Sequence, residues 1–209
     1  GVHYEPRWFS PWQPDKVVSF DYNGEEVPLG DLVIDYKGIK IGMEICEDAW
    51  RGESRPACRL AARFVNLIIN PSASHFAFGK SKIREQIAID ASGKYDLVYI
   101  YANLLGNEAG RMIYDGEIFI TGQGNVYALN KKFSYRNVNL LYKDVDFDNI
   151  GSSEIVSVDP EVKHEVFTQA VALALFDYMR KSRSKGFVLS LSGGADSGSC
   201  AILVSEMVK

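Results

Sequence analysis

The chain has 209 residues, 46% of them hydrophobic, with a formal net charge of −4; that is enough for one good core or two small domains. The acidic balance and the lack of a basic stripe exclude a binder of nucleic-acid backbones, and no apolar run approaches the roughly 20 residues of a membrane helix, so a cytoplasmic protein is expected. Cys46, Cys58 and Cys200 are an odd number at wide spacing, and His3, His75 and His164 are solitary, so neither a disulfide framework nor a structural metal site is expected.

The first thirty residues interleave Trp8, Phe9, Trp12 and Phe20 with Pro6, Pro11 and Pro14, which reads as irregular structure followed by short strands. Asn23-Gly24 marks a hairpin, and Lys37-Gly38 turns a strand at 32–36 into one at 39–45. The second alternates strictly, so Ile39, Ile41, Met43 and Ile45 share a face and Glu44 points the other way. Residues 54–64 place Pro56 at a helix start, with Ala57, Leu60, Ala61 and Phe64 at helical spacing and Cys58 a packed bystander. A strand at 65–70, broken by Pro71, a helix around 81–92 and a strand at 97–102 complete an α/β alternation. Further short strands fill 118–140, separated by turns such as 121–125.

The acidic, Ser-rich stretch 142–159 reads as a domain boundary, placed at 149/150. Beyond it, a helix is predicted from Pro160 to about Ser182, then a strand at 187–191, a Gly-Gly turn and a final helix over 199–209.

Two stretches carry chemistry. In IKIGMEICEDAW, residues 39–50, Cys46 stands among Glu44, Glu47 and Asp48. Negative neighbours oppose the thiolate a nucleophile needs, so either the thiol is inert or a cation answers the acids. Its place at the end of a strand before a helical turn resembles a nucleophile elbow, and spacing alone leaves catalyst and core both open. The second stretch, Ser192-Gly193-Gly194-Ala195-Asp196-Ser197, lacks the GxxxxGK[ST] spacing of common phosphate loops. A strand, a glycine turn and a helix N-terminus still aim free N–H groups at one anion. Ser192 and Ser197 would add hydroxyl donors, while Asp196 suits either a Mg²⁺ carried with a nucleotide or a helix cap.

SGGADS after an apolar strand is similar to the pyrophosphate loop of the ATP pyrophosphatases. GMEICEDAW, with YEPRWF at 4–9 and NPSASHFAFGKSKIR at 70–84, resembles the nitrilase-superfamily glutaminase domain of the glutamine-dependent NAD synthetases. The two motifs in this order resemble that family, since GMP and asparagine synthetases pair their pyrophosphatase domains with other glutaminase folds. The resemblance implies a nitrilase-like αββα domain at 1–149, followed at 150–209 by the start of a Rossmann-like adenine nucleotide hydrolase domain.

It implies Cys46 as nucleophile of a Cys, Lys and Glu triad whose Lys and Glu precede Gly1. Glu47, Trp50, Ser74 and Lys80 would line the glutamine pocket. Ser192, Gly193, Gly194, Asp196 and Ser197 would hold the pyrophosphate of ATP, with Mg²⁺ at Asp196. Glutamine, ATP and nicotinic acid adenine dinucleotide are the implied substrates, and a homo-oligomer the implied assembly. The junction after Asp148 is shorter than the family's, and the rest of the synthetase fold would lie beyond Lys209. The competing readings are a nitrilase-type amidase with a structural C-terminal extension, and a non-enzymatic binding module keeping degenerate motifs.

Overall fold

The computed structural model describes residues 10–108 and 111–209. Three hairpins turn on the same local chemistry, a pair of residues that both take positive φ as a type I′ turn demands. Asn23 and Gly24 (56° and 85°) join β1 (Val17–Tyr22) to β2 (Glu25–Gly30). Lys37 and Gly38 (54° and 86°) join β3 (Ile34–Tyr36) to β4 (Ile39–Met43). Much later in the chain, Gln123 and Gly124 (46° and 76°) join β9 (Ile118–Gly122) to β10 (Asn125–Leu129).

Between these lie β5 (Leu67–Ser72), β6 (Val98–Asn103), β7 (Leu105–Glu108) and β8 (Met112–Asp115). Among the described residues, six strands form one sheet in the order β10-β9-β6-β5-β4-β3. Its central β4, β5 and β6 run parallel, and β3, β9 and β10 pair antiparallel outside them. The parallel strands are connected by α1 (Pro56–Ala62) and α2 (Lys80–Tyr95), which cover the same face. Ala57 and Leu60 from α1 and Ala88 and Ala91 from α2 close over Ile68, Tyr99, Tyr101 and Phe119. Close approach is built into β4: a Cβ on Gly42 would meet the Leu60 methyls at 2.8 Å. On the opposite face, Val98, Ile120, Tyr127 and Ala128 pack on Ile150, flanked by the half-buried Leu141, Val145 and Phe147. This is a mixed α/β architecture, one helical layer over one sheet layer, as one half of an αββα sandwich requires.

The hairpin of β7 and β8 stands apart from that sheet and receives α3 (Lys163–Ser182). Val166, Ala170 and Leu173 pack with Phe133 against Phe76, Leu105 and Ile113. One turn further along α3, the buried Asp177 accepts the Asn107 N–H at 2.7 Å. Packing therefore runs across residue 149, and the Val156 N–H also reaches the Val126 carbonyl at 2.8 Å. No helix among the described residues is long and apolar enough to cross a membrane.

Several expectations are corrected. Pro71 lies inside β5 rather than ending it: β4 has already stopped opposite Ile69, so the missing N–H falls where only β6 remains as neighbour. β4 ends at Met43, not Ile45, and the face carrying Met43 and Ile45 is the exposed one, with Gly42 and Glu44 buried toward α1. Phe64, at φ 58°, terminates the helical run and is exposed. Helix α3 starts at Lys163 and α4 (Ala195–Val208) starts four residues earlier than expected. Residues 187–191 form no strand: an apolar run becomes one only against a ladder partner, and Val188 and Leu191 stand exposed. The hairpin of β7 and β8 was not foreseen, because LGNE and MIYD show no clear alternation. YEPRWF at 4–9 lies outside the described residues.

Candidate active site

After Met43 the chain leaves the sheet and enters a tight 3-10 turn, Cys46–Trp50. Asp48 closes it locally, its N–H donating to the Ile45 carbonyl and its carboxylate accepting the Ile45 N–H, both at 3.0 Å. Cys46 itself stands at φ 46°, in the left-handed region, which costs a non-glycine residue roughly 1–2 kcal/mol. A strained cysteine between a strand and a helical turn is the elbow geometry that lifts a nucleophile clear of its own backbone.

Two of the three acids around the thiol, Glu44 and Glu47, are paired with arginines of this chain. Glu44 is fully buried and accepts from Arg55 Nε at 3.1 Å and Nη2 at 2.6 Å, from the Ala57 N–H at 2.7 Å and from the Tyr99 hydroxyl at 2.8 Å. It thus anchors the end of β4 to the start of α1. Burial, and then the Glu44 charge, push the Tyr99 hydroxyl well above its ordinary range, so it remains a donor. Glu47 pairs with Arg51 on the surface of the turn.

Around this elbow gather residues assigned from sequence. Lys80 opens α2, donates to the His75 carbonyl at 3.2 Å and lies 5.9 Å from the Trp50 ring. Burial and the Arg84 charge hold its ammonium below the usual lysine value, while Cys46 and Asp115 are near enough to pull it back up. Ser74 is buried beyond the end of β5; its N–H donates to Asn103 Oδ1 at 2.8 Å and its carbonyl accepts from Asn103 Nδ2 at 2.9 Å. Cys46 and Trp50, on one turn, and Lys80, over the Trp50 ring, therefore lie at the C-terminal edge of the parallel strands, the edge at which open α/β sheets bind ligands. Ser74 lies at the same edge. Glu47 shares the turn with Cys46, its side chain turned to Arg51.

Sequence reasoning missed the wall behind them. Arg84 is buried against Asp115 and, at 2.7 Å, Glu117, and its Nη1 reaches the Ser74 carbonyl at 3.4 Å. Lys132 joins Glu117 at 3.3 Å and also holds Glu161, just before α3. Arg84 sits in the quoted 70–84 segment, so that motif carried a signal; nothing local marked Asp115, Glu117 or Lys132.

At the other end of the chain, α4 begins at Ala195 with Gly194 at its cap and Gly193 at φ 82°. The Ser192 hydroxyl lies 3.2 Å from that of Ser197 and accepts the Gly194 N–H at 3.4 Å, while Ser197 donates to the Gly194 carbonyl at 3.1 Å. The loop and the Asp196 side chain are exposed, and no side chain caps the helix, which leaves Asp196 out of the capping role. Among the described residues no group of three or more His, Cys, Asp or Glu is placed to hold a metal ion. A lone carboxylate beside a phosphate loop suits a Mg²⁺ whose remaining ligands are phosphate and water.

No protein-family profile matches the chain. A glutamine-dependent NAD(+) synthetase from Bos taurus is 30% identical over 253 residues, covering 99% of this chain and 36% of its own length. The Homo sapiens synthetase is 29% identical with the same coverage. The crystal structure of the Cytophaga hutchinsonii glutamine-dependent NAD(+) synthetase superposes on the whole chain with a TM-score of 0.82 and 50% identity. Over the span it covers, the chain is similar throughout to glutamine-dependent NAD(+) synthetases. It spans little more than a third of the length of its curated relatives and 32% of the Cytophaga chain. The match to the bovine synthetase runs over 253 residues against 209 here, so that relative carries segments inside the span that this chain lacks. The same fold extends to the Acinetobacter baumannii synthetase, solved with ADP, at a TM-score of 0.76 and 23% identity.

Proposed function

We propose that this chain carries parts of both catalytic centres of glutamine-dependent NAD⁺ synthesis, with residues 1–149 belonging to the glutaminase and 150–209 to the ATP-dependent synthetase. Support comes above all from the left-handed Cys46 just beyond β4, on the same turn as Trp50, whose ring lies 5.9 Å from Lys80, in a chain similar throughout to one family. In this reading the Cys46 sulfur attacks the side-chain amide carbon of glutamine. The C–N bond breaks, ammonia leaves with the thiol proton, and water then hydrolyses the thioester to glutamate. Glu47, Trp50, Ser74 and Lys80 form the glutamine pocket, Lys80 facing the substrate carboxylate.

At the second centre ATP adenylates the carboxylate of nicotinic acid adenine dinucleotide, pyrophosphate leaves, and ammonia displaces AMP to give NAD⁺. Ser192, Gly193, Gly194 and Ser197 would hold the pyrophosphate on the N–H groups and hydroxyls at the start of α4. Asp196 would hold Mg²⁺, which supplies countercharge to the phosphates. The Acinetobacter synthetase was solved with ADP, which supports a nucleotide as a ligand in this reading. The cytoplasmic setting and homo-oligomeric assembly implied by the resemblance belong to the same reading.

Replacing Cys46 with Ala in the complete protein tests the assignment. Glutamine-dependent NAD⁺ formation should vanish while formation from ammonium salt continues near the wild-type rate, because free ammonia bypasses the thioester. Equal loss with both nitrogen donors would make Cys46 a packing residue. A stand-alone amidase would show no turnover of ATP to AMP.

A further inference from the structure

Asn70 is fully buried on β5, one residue past Ile69, the last position that β4 pairs with. The ladder makes its final contact there, from the Glu44 N–H to the Ile69 carbonyl at 3.1 Å. Two residues later Cys46 is left-handed, and its N–H is met by a side chain rather than by a ladder carbonyl. The Asn70 side chain takes over: Oδ1 accepts the Cys46 N–H at 3.2 Å and the Ser72 hydroxyl at 2.7 Å. Its Nδ2 donates to the Tyr99 hydroxyl at 2.8 Å. Tyr99 gives its own proton to Glu44 and receives Arg55 Nη2 at 3.2 Å, so it can only accept from Asn70, and the amide orientation is set by the network. A continuous chain of hydrogen bonds thus joins the buried Arg55–Glu44 pair to the backbone of the strained cysteine.

We infer that Asn70 is a positioning residue for Cys46, holding the elbow backbone in its left-handed conformation so that the thiol is presented to the amide substrate. This rests on the reading of Cys46 as glutaminase nucleophile. Asn70 is given no contact with the sulfur or the substrate; it acts through the Cys46 backbone. Without the Oδ1 acceptor, Cys46 relaxes toward ordinary φ and its sulfur swings away from the attack position. A displacement of about 1 Å is enough for roughly a hundredfold loss of rate.

The test uses Asn70→Leu, Asn70→Ser and Asn70→Asp in the complete protein, with Cys46→Ala in parallel. Leu removes the acceptor and the shorter Ser withdraws it from the Cys46 N–H; Ser covers the case in which Leu fails to fold. Either should lower kcat with glutamine by more than about tenfold relative to kcat with ammonium salt, with little change in KM for glutamine. Asp keeps the acceptor and adds a charge beside the thiol. It should move the pH midpoint of Cys46 alkylation by iodoacetamide upward and recover glutamine turnover at higher pH. A parallel fall with both nitrogen donors, a smaller relative loss, or an unmoved alkylation midpoint in Asn70→Asp overturns the inference. The Cys46→Ala control separates the two levels: if it retains glutamine-dependent turnover, the nucleophile reading fails. If it loses turnover while the Asn70 variants keep theirs, only the role of Asn70 falls.

Discussion

Glu44 and Glu47 flank the same cysteine, and the substitution Glu→Gln at each should have different consequences. At Glu44 four donors converge on two carboxylate oxygens: Arg55 Nε and the Ala57 N–H on Oε1, Arg55 Nη2 and the Tyr99 hydroxyl on Oε2. A glutamine keeps one oxygen and turns the other corner into an NH₂ that faces two donors. Tyr99 cannot relieve the clash, because its hydroxyl oxygen already accepts from Asn70 and Arg55. The Arg55 guanidinium loses its counterion where it is 9% exposed. Breaking a buried pair in this way costs about 3–5 kcal/mol. At Glu47 the partner Arg51 is 57% exposed, and an exposed pair is worth about 1 kcal/mol or less. Amide hydrogen exchange of the intact protein, read on peptides covering residues 39–62, measures both. Glu44→Gln should speed exchange there by roughly a hundredfold to a few thousandfold at about 1.4 kcal/mol per decade, and Glu47→Gln by less than about tenfold. Equal effects would refute the view that Glu44 is the anchor joining β4 to α1.

Replacing Asp196 with Ala in the complete protein should abolish pyrophosphate release while leaving the melting transition unchanged, since the exposed carboxylate caps nothing on α4; unimpaired ATP turnover would exclude it from the nucleotide site. Burial pushes the Asp177 carboxyl up, but the Asn107 N–H, Lys181 and Arg180 outweigh burial and hold it below the ordinary aspartate value. A depressed folded value means that this stabilisation is complete above the unfolded pKa of about 4 and is lost as pH falls through the folded one. Exchange in residues 163–182 should therefore rise on acidification below about pH 4, beyond the intrinsic pH effect, and Asp177→Asn should remove that excess; the same excess in the variant would clear Asp177 of the docking role.

What was legible in the sequence was local. Asn23-Gly24 and Lys37-Gly38 announce their turns because the requirement for positive φ is met within two residues. SGGADS announces a helix N-terminus because free N–H groups belong to its first turn. Cys46 could be singled out because an alternating strand runs straight into acidic helix-start residues. The environment of that cysteine was another matter. Glu44 meets Arg55 11 residues on, Cys46 meets Asn70 24 residues on, and Arg84 meets Asp115 and Glu117 31 and 33 residues on. These distances in sequence collapse only when two helical crossovers lay β4, β5 and β6 side by side in one register, and no residue along the way encodes that register. The same physics removed the strand expected at 187–191. Its apolar run is a local property, but a strand exists only through hydrogen bonds to a neighbour, and that neighbour is chosen by the tertiary fold.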